Sequence, residues 1–436
     1  MNRKTGLFVF ASVCLLLQAV LGTGFIMPVT SGAGNPQETA DDWPMFGHDL
    51  MHTGYSMSKA PDTNKTLWKY RTGHFPGAPA VVDGVVFVGS YDNKTYALNA
   101  STGDEIWSRK LGGNVWHSPA VAYGMVFVNC GDNRTYALDA ATGELVWSYE
   151  TGDEAYCAPV VADGKVYIGS SDGNVYALDA ATGELVWSYE TGDYRVVGSS
   201  PAVAYGMVFI AASKTRFPPQ PRAPAKVYAL NASTGAKIWS YMIDDQVFCS
   251  PAVAEGKVYI GSNDANVYAL DAYTGNKLWS YQTGRLVQSD PAVAYGLVFI
   301  GSGDNRTYAL NATTGELIWN YTTGDGVHSA PAVADGKVFF GSLDKTIYAL
   351  NASTGELIWS YETDGWVFQL AIAYGKLFVS SADYNVYCFG EGEVLAPEEG
   401  GGGFPLWAFW IIAGVAVAAI AGLFVAMAKV TYKTEN

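Results

Sequence analysis

The chain has 436 residues, of which 49% are hydrophobic, 14% aromatic and only 15% charged, and it contains 49 glycines. This composition excludes an intrinsically disordered chain and favours many short strands over a helical bundle. The formal net charge of −15 excludes ordinary duplex nucleic-acid binding, because that activity requires a basic face.

The N-terminus has the features of a secretory signal peptide. Arg3 and Lys4 precede an apolar run from Leu7 to Gly22, and small or polar residues follow at 30–34. A basic start, an apolar core of this length and small residues are the three parts of such a signal. We therefore predict that residues 1–34 are a signal peptide, cleaved between residues 22 and 34.

Residues 41–390 consist of one repeated unit. Tryptophan recurs at intervals of 39, 40, 40, 52, 40, 40 and 40 residues, and a Pro-Ala-Val and a Tyr-Ala-Leu motif, or close relatives, recur with it. Self-similarity at this period is typical of propellers and solenoids. The recurring tryptophans are Trp68, Trp107, Trp147, Trp187, Trp239, Trp279, Trp319 and Trp359.

Each repeat predicts four strands joined by tight turns. Asp-Gly pairs suit two-residue hairpins because both central residues take positive φ, and Asp179 is placed to close the third turn with its carboxylate. In the repeat that contains Trp187, the predicted strands are 159–162, 165–170, 174–179 and 184–190, with turns at Asp163-Gly164, Asp172-Gly173 and Thr182-Gly183.

The strands predict stacked blades that close into a ring. Residues 166–168 are apolar in succession, which indicates a strand covered on both faces. The first tryptophan strand, Leu67–Arg71, precedes every Pro-Ala-Val motif, and the last repeat, residues 370–389, has no tryptophan strand after it. We therefore predict an all-β fold, an eight-bladed β-propeller whose N-terminal strand closes the last blade. The alternative is an open solenoid, which would leave an exposed sheet edge.

A longer motif carries a family resemblance. The pattern A-x-D-x-x-T-G-x-x-x-W runs from Ala137 to Trp147, and related copies, four with Asn in place of Asp, begin at Ala97, Ala177, Ala229, Ala269, Ala309 and Ala349. It resembles the tryptophan-docking motif of quinoprotein (PQQ-repeat) propellers, over about residues 43–390. That family includes quinoprotein alcohol dehydrogenases and non-catalytic BamB-type outer-membrane assembly lipoproteins. The resemblance implies that each tryptophan packs between blades, and it leaves the function open.

The resemblance also implies which groups a catalytic quinoprotein of this family requires. It implies PQQ under a vicinal cysteine pair, a tryptophan floor, a Ca²⁺ held by Glu, Asn and Asp, and a catalytic Asp. Here the two cysteines closest in sequence are Cys130 and Cys157, and six of seven tryptophan intervals are 39 or 40, which leaves little chain to cover a cofactor. The histidines lack zinc-type spacing, and the Asp-rich turns lack the ligand pattern of a Ca²⁺ loop.

These observations predict a protein that is not an enzyme. We expect no catalytic, cofactor-binding or metal-binding residues, no structural disulfide, and a binding or scaffold role like that of BamB. A PQQ-dependent quinoprotein oxidoreductase is one alternative, and a polysaccharide-binding adhesin of the cell surface is another.

Residues that vary within the repeated frame predict a binding site. The residues two and three before each Pro-Ala-Val motif are expected at one rim of the central channel, and they are aromatic and polar, as binding sites are. The alternative is that they only fill the channel. The candidate rim residues are Trp116, His117, Tyr156, Phe248, Gln288, His328, Phe368 and Gln369.

Two further features lie in the turns. The fourth repeat carries a proline-rich insertion, residues 214–226, whose Lys and Arg residues predict either contact with an acidic partner or a solvated loop.

Nine Asn-x-Ser/Thr sequences are candidate glycosylation sites, although the turn conformation alone explains Asn99, Asn231, Asn311 and Asn351. The nine are Asn64, Asn93, Asn99, Asn133, Asn231, Asn305, Asn311, Asn320 and Asn351.

The C-terminal region predicts a membrane anchor. Residues 391–405 read as an acidic, Gly-rich stalk, and Leu406–Ala428 is an uncharged run of 23 residues, long enough to span a bilayer. Lys429 and Lys433 follow it, so residues 429–436 are expected in the cytoplasm and the propeller outside. We therefore expect a single-pass membrane protein with a protein or glycan partner at the rim and no nucleic acid. Its sequons, acidity and anchor resemble those of archaeal envelope proteins.

Overall fold

The structure is a computed structural model that describes residues 41–196, 198–214 and 223–391. The predicted signal peptide (1–34), most of the stalk (392–405), the predicted transmembrane helix (406–428) and the tail (429–436) lie outside the described residues, as does the centre of the insertion (215–222). In the described ranges no helix is long and apolar enough to cross a membrane.

Eight sheets form within the described ranges, each built on four antiparallel strands in which chain neighbours pair. Two strands precede the first complete blade: β1 (Tyr55–Ser56) and β2 (Thr66–Arg71). Blade 1 consists of β3 (Ala80–Val82), β4 (Val85–Ser90), β5 (Lys94–Asn99) and β6 (Glu105–Lys110), and blade 2 of β7 (Ala120–Ala122), β8 (Met125–Cys130), β9 (Arg134–Asp139) and β10 (Leu145–Glu150). Blade 3 consists of β11 (Val160–Ala162), β12 (Lys165–Gly169), β13 (Asn174–Asp179) and β14 (Leu185–Glu190). Blade 4 consists of β15 (Ala202–Ala204), β16 (Met207–Ser213), β17 (Ala225–Asn231) and β18 (Lys237–Ile243).

The second half repeats this order. Blade 5 consists of β19 (Ala252–Ala254), β20 (Lys257–Gly261), β21 (Asn266–Asp271) and β22 (Lys277–Gln282). Blade 6 consists of β23 (Ala292–Ala294), β24 (Leu297–Ser302), β25 (Arg306–Asn311) and β26 (Leu317–Thr322). Blade 7 consists of β27 (Ala332–Ala334), β28 (Lys337–Gly341), β29 (Thr346–Asn351) and β30 (Leu357–Glu362). Blade 8 contains β31 (Val367–Ala373), β32 (Lys376–Ser381) and β33 (Asn385–Phe389).

Blade 8 is completed by the N-terminal strand. β2 pairs antiparallel with β33, with Trp68 opposite Cys388 and Arg71 opposite Asn385, and the sheet order is β2-β33-β32-β31. The predicted eight-bladed propeller and its closure by the strand at Leu67–Arg71 are therefore confirmed, and the open solenoid is excluded. The seam joins sequence-distant strands because the outermost strand of blade 8 is supplied by the start of the chain.

The strands are buried because each sheet lies between two others. Val166, Tyr167 and Ile168 of β12 are all 1% exposed or less although they are consecutive. Side chains of consecutive strand residues point to opposite faces, so both faces of this sheet are covered. The continuous apolar run in the sequence therefore reflects the stacking of blades.

The recurring tryptophans join neighbouring blades. The Trp147 indole Nε1 donates a hydrogen bond to the Ala180 carbonyl oxygen at 2.9 Å, and a Cβ at Gly183 would lie 2.6 Å from the same ring. The other seven rings donate in the same way, from Trp68 to Ala100, Trp107 to Ala140, Trp187 to Ala232, Trp239 to Ala272, Trp279 to Ala312, Trp319 to Ala352 and Trp359 to Pro61.

The first and third turns have the conformations that the sequence indicates. Asp163 and Gly164 both have positive φ (48° and 70°), and Asp179 Oδ1 accepts hydrogen bonds from the backbone N–H groups at 181 and 182. The second turn differs from the prediction, because only Gly173 (φ 91°) of the pair Asp172-Gly173 is left-handed. Asp172 instead uses its carboxylate to bind the turn, accepting hydrogen bonds from the Asn174 N–H at 2.8 Å and the Tyr176 hydroxyl at 2.7 Å.

The N-terminal segment lies inside the channel, which the sequence analysis did not predict. We call residues 42–58 the plug. Its carbonyl groups accept hydrogen bonds from inner-strand valines of six blades, which gives buried N–H groups a partner. These bonds run from Val81 to Trp43, Val121 to Pro44, Val203 to Leu50, Val253 to Met51, Val293 to Thr53 and Val333 to Gly54, at 2.6–2.8 Å.

The antiparallel strands define two faces of the ring. The first and third turns of each blade lie on one side, which we call the turn face, and the second turns and the loops between blades lie on the other, which we call the rim face. The end of the plug reaches the turn face, where Ser58 Oγ accepts a hydrogen bond from the Gly375 N–H at 3.0 Å.

Candidate functional site

Short side chains line the channel where the inner strands begin. The Ala158 N–H donates to Ser200 Oγ and the Ser200 N–H to Ser250 Oγ, both at 2.9 Å, and the Ser250 N–H donates to Asp290 Oδ1. These bonds link blades 3 to 6 in sequence. Burial raises the pKa of the Asp290 carboxyl to about 7, because no cation among its hydrogen-bond partners compensates the lost hydration.

The plug leaves little open space in the channel. A cavity beside it is lined by Trp43 and Phe46 of the plug together with Ser118, Gln369 and Leu370, and it measures about 20 Å³. That is room for about one water molecule. The exposed rim aromatics described below are therefore not what fills the channel.

An exposed group of aromatic rings lies on the rim face of blades 8, 1 and 2. We call His74, Phe75, Tyr91, Trp116 and Tyr384 the aromatic patch. Ring centroids are 4.7 Å apart for His74 and Phe75, 5.1 Å for Phe75 and Tyr384, and 4.8 Å for Tyr91 and Trp116. Phe75 is 37% exposed and Trp116 50% exposed, so the patch presents contiguous aromatic surface to solvent.

A second aromatic pair lies on the neighbouring loop. Trp366 (51% exposed) and Phe368 stand edge to face with centroids 6.2 Å apart, on the loop that leads into blade 8. Large exposed aromatic side chains on one face are typical of an interaction surface.

A narrow cleft adjoins the patch between blades 2 and 3. Trp116 and Tyr156 flank it, and Asn114, His117 and Glu154 line it as well. Its volume is about 10 Å³, which admits one water-sized group. Burial, followed by the neighbouring Asp153 charge, raises the pKa of Glu154.

Six of the predicted rim residues lie on the loops between blades, while Phe368 and Gln369 lie at the start of β31, and the eight differ in exposure. Trp116, Tyr156 and Phe368 are exposed. The remaining five are half-buried: His117, Phe248, Gln288, His328 and Gln369. Burial lowers the pKa of His117 to about 4, so this imidazole is neutral near pH 7.

The structure brings only some of these residues together. Trp116 and His117 stack at 17° with centroids 6.0 Å apart, and Tyr156 shares their cleft. Gln288 donates from Nε2 to Asn263 Oδ1 at 3.1 Å, on the loops of blades 5 and 6, and Gln369 lines the channel cavity. Binding by any of them stays a prediction.

The sequence reasoning missed Phe75, Tyr91, Trp366 and Tyr384. Tyr91 and Tyr384 lie in second turns, whereas the prediction concerned only the residues two and three before each Pro-Ala-Val motif. The sequence does distinguish Tyr91, because an aromatic residue there departs from the small or polar residues that most other blades have at the same position. Those residues are Gly131, Ser171, Asn263, Gly303 and Ala382.

The channel of the propeller does not fit a bound pyrroloquinoline quinone. A cofactor of that size needs a pocket of several hundred Å³, and the channel cavity offers about 20 Å³. The cysteines in the described ranges, Cys130, Cys157, Cys249 and Cys388, are buried and free, and none is adjacent to another in sequence. No three His, Cys, Asp or Glu side chains of these ranges group as a metal site requires.

The candidate glycosylation sites fall into two structural groups. Asn320 is exposed on β26, and Asn64 is exposed but donates from Nδ2 to the Ser360 carbonyl oxygen at 2.9 Å. The others lie in turns: Asn93, Asn133 and Asn305 have φ of 65–70°, and Asn99, Asn231, Asn311 and Asn351 accept backbone hydrogen bonds. Glycosylation itself stays a prediction.

The fold, the docked tryptophans and their recurring motif define a propeller of the PQQ-repeat class. A family model described as outer membrane protein assembly factor BamB (PQQ_2) matches residues 58–218, 198–289 and 283–402. The matches cover well over half of the chain, which therefore belongs to this family. No curated protein sequence matches it.

Solved structures share the fold at low identity. BamB from Moraxella catarrhalis is 20% identical, with a TM-score of 0.62 over 76% of this chain and 98% of that one. A europium-containing methanol dehydrogenase is 17% identical (TM-score 0.67, 78% and 89%). The quinohemoprotein alcohol dehydrogenase from Comamonas testosteroni is 18% identical (TM-score 0.68, 81% and 81%). Since BamB and two dehydrogenases share this architecture, the similarity identifies the fold alone.

Proposed function

We propose that this chain is a membrane-anchored, extracytoplasmic propeller that acts as a non-catalytic binding module and presents its rim face to a partner. The observation that carries the proposal is the exposed aromatic surface of the rim face, formed by the aromatic patch together with Trp366 and Phe368. These rings interrupt a frame that is otherwise repeated, and energetically important contacts in protein interfaces are enriched in tryptophan and tyrosine.

The anchor and the orientation rest on the sequence. The uncharged run Leu406–Ala428 and the lysines after it support attachment to a cell membrane with the propeller outside. An exposed aromatic surface on an anchored propeller is suited to capturing another protein close to the membrane. The sequons support a surface location in an archaeal envelope.

A site-specific crosslinking experiment tests the proposal. A photoreactive phenylalanine analogue at position 366 should give a discrete crosslinked product in native cells, and the same analogue at position 273 should not. Tyr273 is a matched control because it is exposed to a similar degree (56%) but belongs to the third turn of blade 5, on the opposite face. Equal products from both positions, or none from position 366, would contradict a rim-face partner.

The oxidoreductase alternative has its own test, and the dehydrogenases of similar fold justify it. Purified full-length protein is mixed with pyrroloquinoline quinone and Ca²⁺ and passed through gel filtration. Since the channel cavity is about 20 Å³, we expect no quinone absorbance to elute with the protein and no alcohol-dependent dye reduction. Retained quinone with dye reduction would make this chain an enzyme and overturn the proposal.

A further inference from the structure

The cleft between Trp116 and Tyr156 contains an unusual carboxylate. Glu154 is half-buried, and among the residues that the structure describes its carboxylate accepts no hydrogen bond and forms no ion pair. The adjacent Asp153 does have a partner, since its Oδ2 lies 3.3 Å from Nη1 of Arg195. A carboxylate that is partly shielded from water and has no partner favours the approach of a cation.

Two aromatic residues line the same cleft as this carboxylate, and a third adjoins it. Trp116 and Tyr156 line the cleft with it, and Tyr91 packs on Trp116 at 4.8 Å between centroids. Burial, and then the Glu154 charge, raises the pKa of Tyr91 to about 12, so the phenol lies within electrostatic range of Glu154. A carboxylate among aromatic faces is the chemistry that binds an ammonium ion, through cation–π attraction and charge.

The position of Glu154 is specific to this cleft. The residues at its position in the other seven blades are Phe75, Asn114, Arg195, Gln246, Leu286, Gly326 and Trp366. The repeated frame therefore does not require a carboxylate there. The acid occurs only where two exposed aromatic residues, Trp116 and Tyr156, stand at the adjacent rim positions.

We propose that this cleft binds the ammonium group of a lysine side chain from a basic segment of the partner protein, an inference that rests on the proposed function. The volume of about 10 Å³ admits one ammonium group and is too small for a guanidinium or a sugar ring. The aliphatic stem of a lysine can lie along aromatic surface while its head group enters the cleft, and the aromatic patch supplies such surface next to Trp116.

Part of the rim face is acidic and fits a basic segment. A broad depression of about 470 Å³ over blades 4 to 6 is lined by Asp244, Asp245 and Asp264 with Arg285 as its cation, and the whole chain carries a net charge of −15. Acidic surface attracts further basic residues of the same segment and accelerates their encounter with the cleft.

A peptide-binding experiment tests the proposal on the purified full-length protein. Fluorescein-labelled (Gly-Ser-Lys)4 is titrated and followed by anisotropy, with its Gln and Arg counterparts as matched probes. We expect the Lys peptide to bind about tenfold more tightly than the Gln peptide. It should also bind more tightly than the Arg peptide, which has the same charge, because the cleft of about 10 Å³ admits an ammonium group but not the wider guanidinium. Equal affinity for Lys and Arg peptides would indicate general charge attraction and overturn the cleft.

Variants then locate the contact. Trp116→Ala and Glu154→Gln should each weaken Lys-peptide binding about fivefold or more. Tyr273→Ala and Glu184→Gln, which remove an exposed aromatic ring and a carboxylate on the turn face, should stay within about twofold, and melting curves check that all four variants fold. If Trp116→Ala and Glu154→Gln bind like wild type, the ammonium site is wrong.

The two proposals fail in different ways. A crosslinked partner at position 366 together with no preference for lysine would remove the ammonium site and leave the binding module. A lysine preference that depends on Glu154, without any crosslinked product, would leave the cleft and remove the proposed protein partner.

Discussion

Trp187 donates a hydrogen bond from its indole Nε1 to the Ala232 carbonyl oxygen at 3.0 Å, across 45 residues of sequence. The equivalent pair Trp147 and Ala180 is separated by 33 residues and has nearly the same distance, 2.9 Å. The insertion in the fourth repeat therefore leaves the contact between blades unchanged. In the sequence it lies between β16 (Met207–Ser213) and β17 (Ala225–Asn231) of blade 4.

This indole contact leads to a prediction for stability. Trp187→Phe removes the Nε1 donor and leaves the buried Ala232 carbonyl without this partner, so we expect a loss of about 1–3 kcal/mol in the free energy of unfolding. Guanidinium unfolding followed by circular dichroism measures it. Trp366→Phe is the control, because this ring is 51% exposed, and it should change stability by less than about 0.5 kcal/mol.

The glycine under the ring gives a second prediction. Gly183 has a φ of 75°, and a Cβ there would lie 2.6 Å from Trp147. Gly164 has a similar φ of 70° with nothing within 4 Å of the Cβ position. Both Ala variants carry the cost of a left-handed alanine, about 1 kcal/mol, and Gly183→Ala should lose at least about 1 kcal/mol more because the ring must move. Equal losses in unfolding experiments would show that the ring tolerates the methyl group.

The channel carboxyl predicts a pH dependence. Burial raises the pKa of Asp290 to about 7, so between about pH 4 and 7 the folded state holds a proton that the unfolded state has lost. Stability from this group is therefore present at low pH and falls as the pH rises towards 7. Asp290→Asn keeps an oxygen acceptor for the Ser250 N–H and removes the ionisation.

The comparison of the two proteins isolates this group. His52 and His117, whose pKa values burial lowers to about 4, change stability in the opposite direction, but they do so equally in wild type and variant. We expect Asp290→Asn to gain about 1–3 kcal/mol relative to wild type on going from pH 5 to pH 8, in urea unfolding at both values. A constant difference would mean that Asp290 ionises normally in the channel.

The sequons predict different effects of substitution. Asn311 Oδ1 accepts hydrogen bonds from the N–H groups of Thr313 and Thr314, both at 2.9 Å, whereas Asn320 is exposed on a strand. In protein made without glycosylation, Asn311→Ala should lose about 1 kcal/mol and Asn320→Ala less than about 0.5 kcal/mol. The mass of the native protein against its sequence mass then measures whether any sequon is occupied.

Most of the fold could be predicted because each repeat states its structure locally. The first turns require Gly at a left-handed position, and Gly84, Gly164 and Gly336 supply it with φ of 70–74°. The unmatched strand at Leu67–Arg71 and the incomplete last repeat together fixed the closure. The second turn was predicted wrongly because an Asp-Gly pair also suits a longer turn in which the Asp side chain accepts hydrogen bonds.

The binding surface was predictable only in part. Trp116 and Tyr156 could be predicted because the residues just before the Pro-Ala-Val motif vary from blade to blade. The same criterion selected Gln369, which lines the channel cavity. Tyr91 and Tyr384 belong to second turns of blades 1 and 8, which are far apart in the chain. Only closure of the ring places both of them within about 6 Å of His74.

The sequence by itself determined the number of blades, because this follows from local motifs repeated at a constant spacing, and the family resemblance of those motifs implied the tryptophan docking. The tertiary structure alone decided that residues 42–58 fill the channel, since inner-strand N–H groups from six blades need partners that no local pattern reveals. It also decided that Glu154 lies unpaired beside aromatic rings, because that arrangement depends on how loops from neighbouring blades meet.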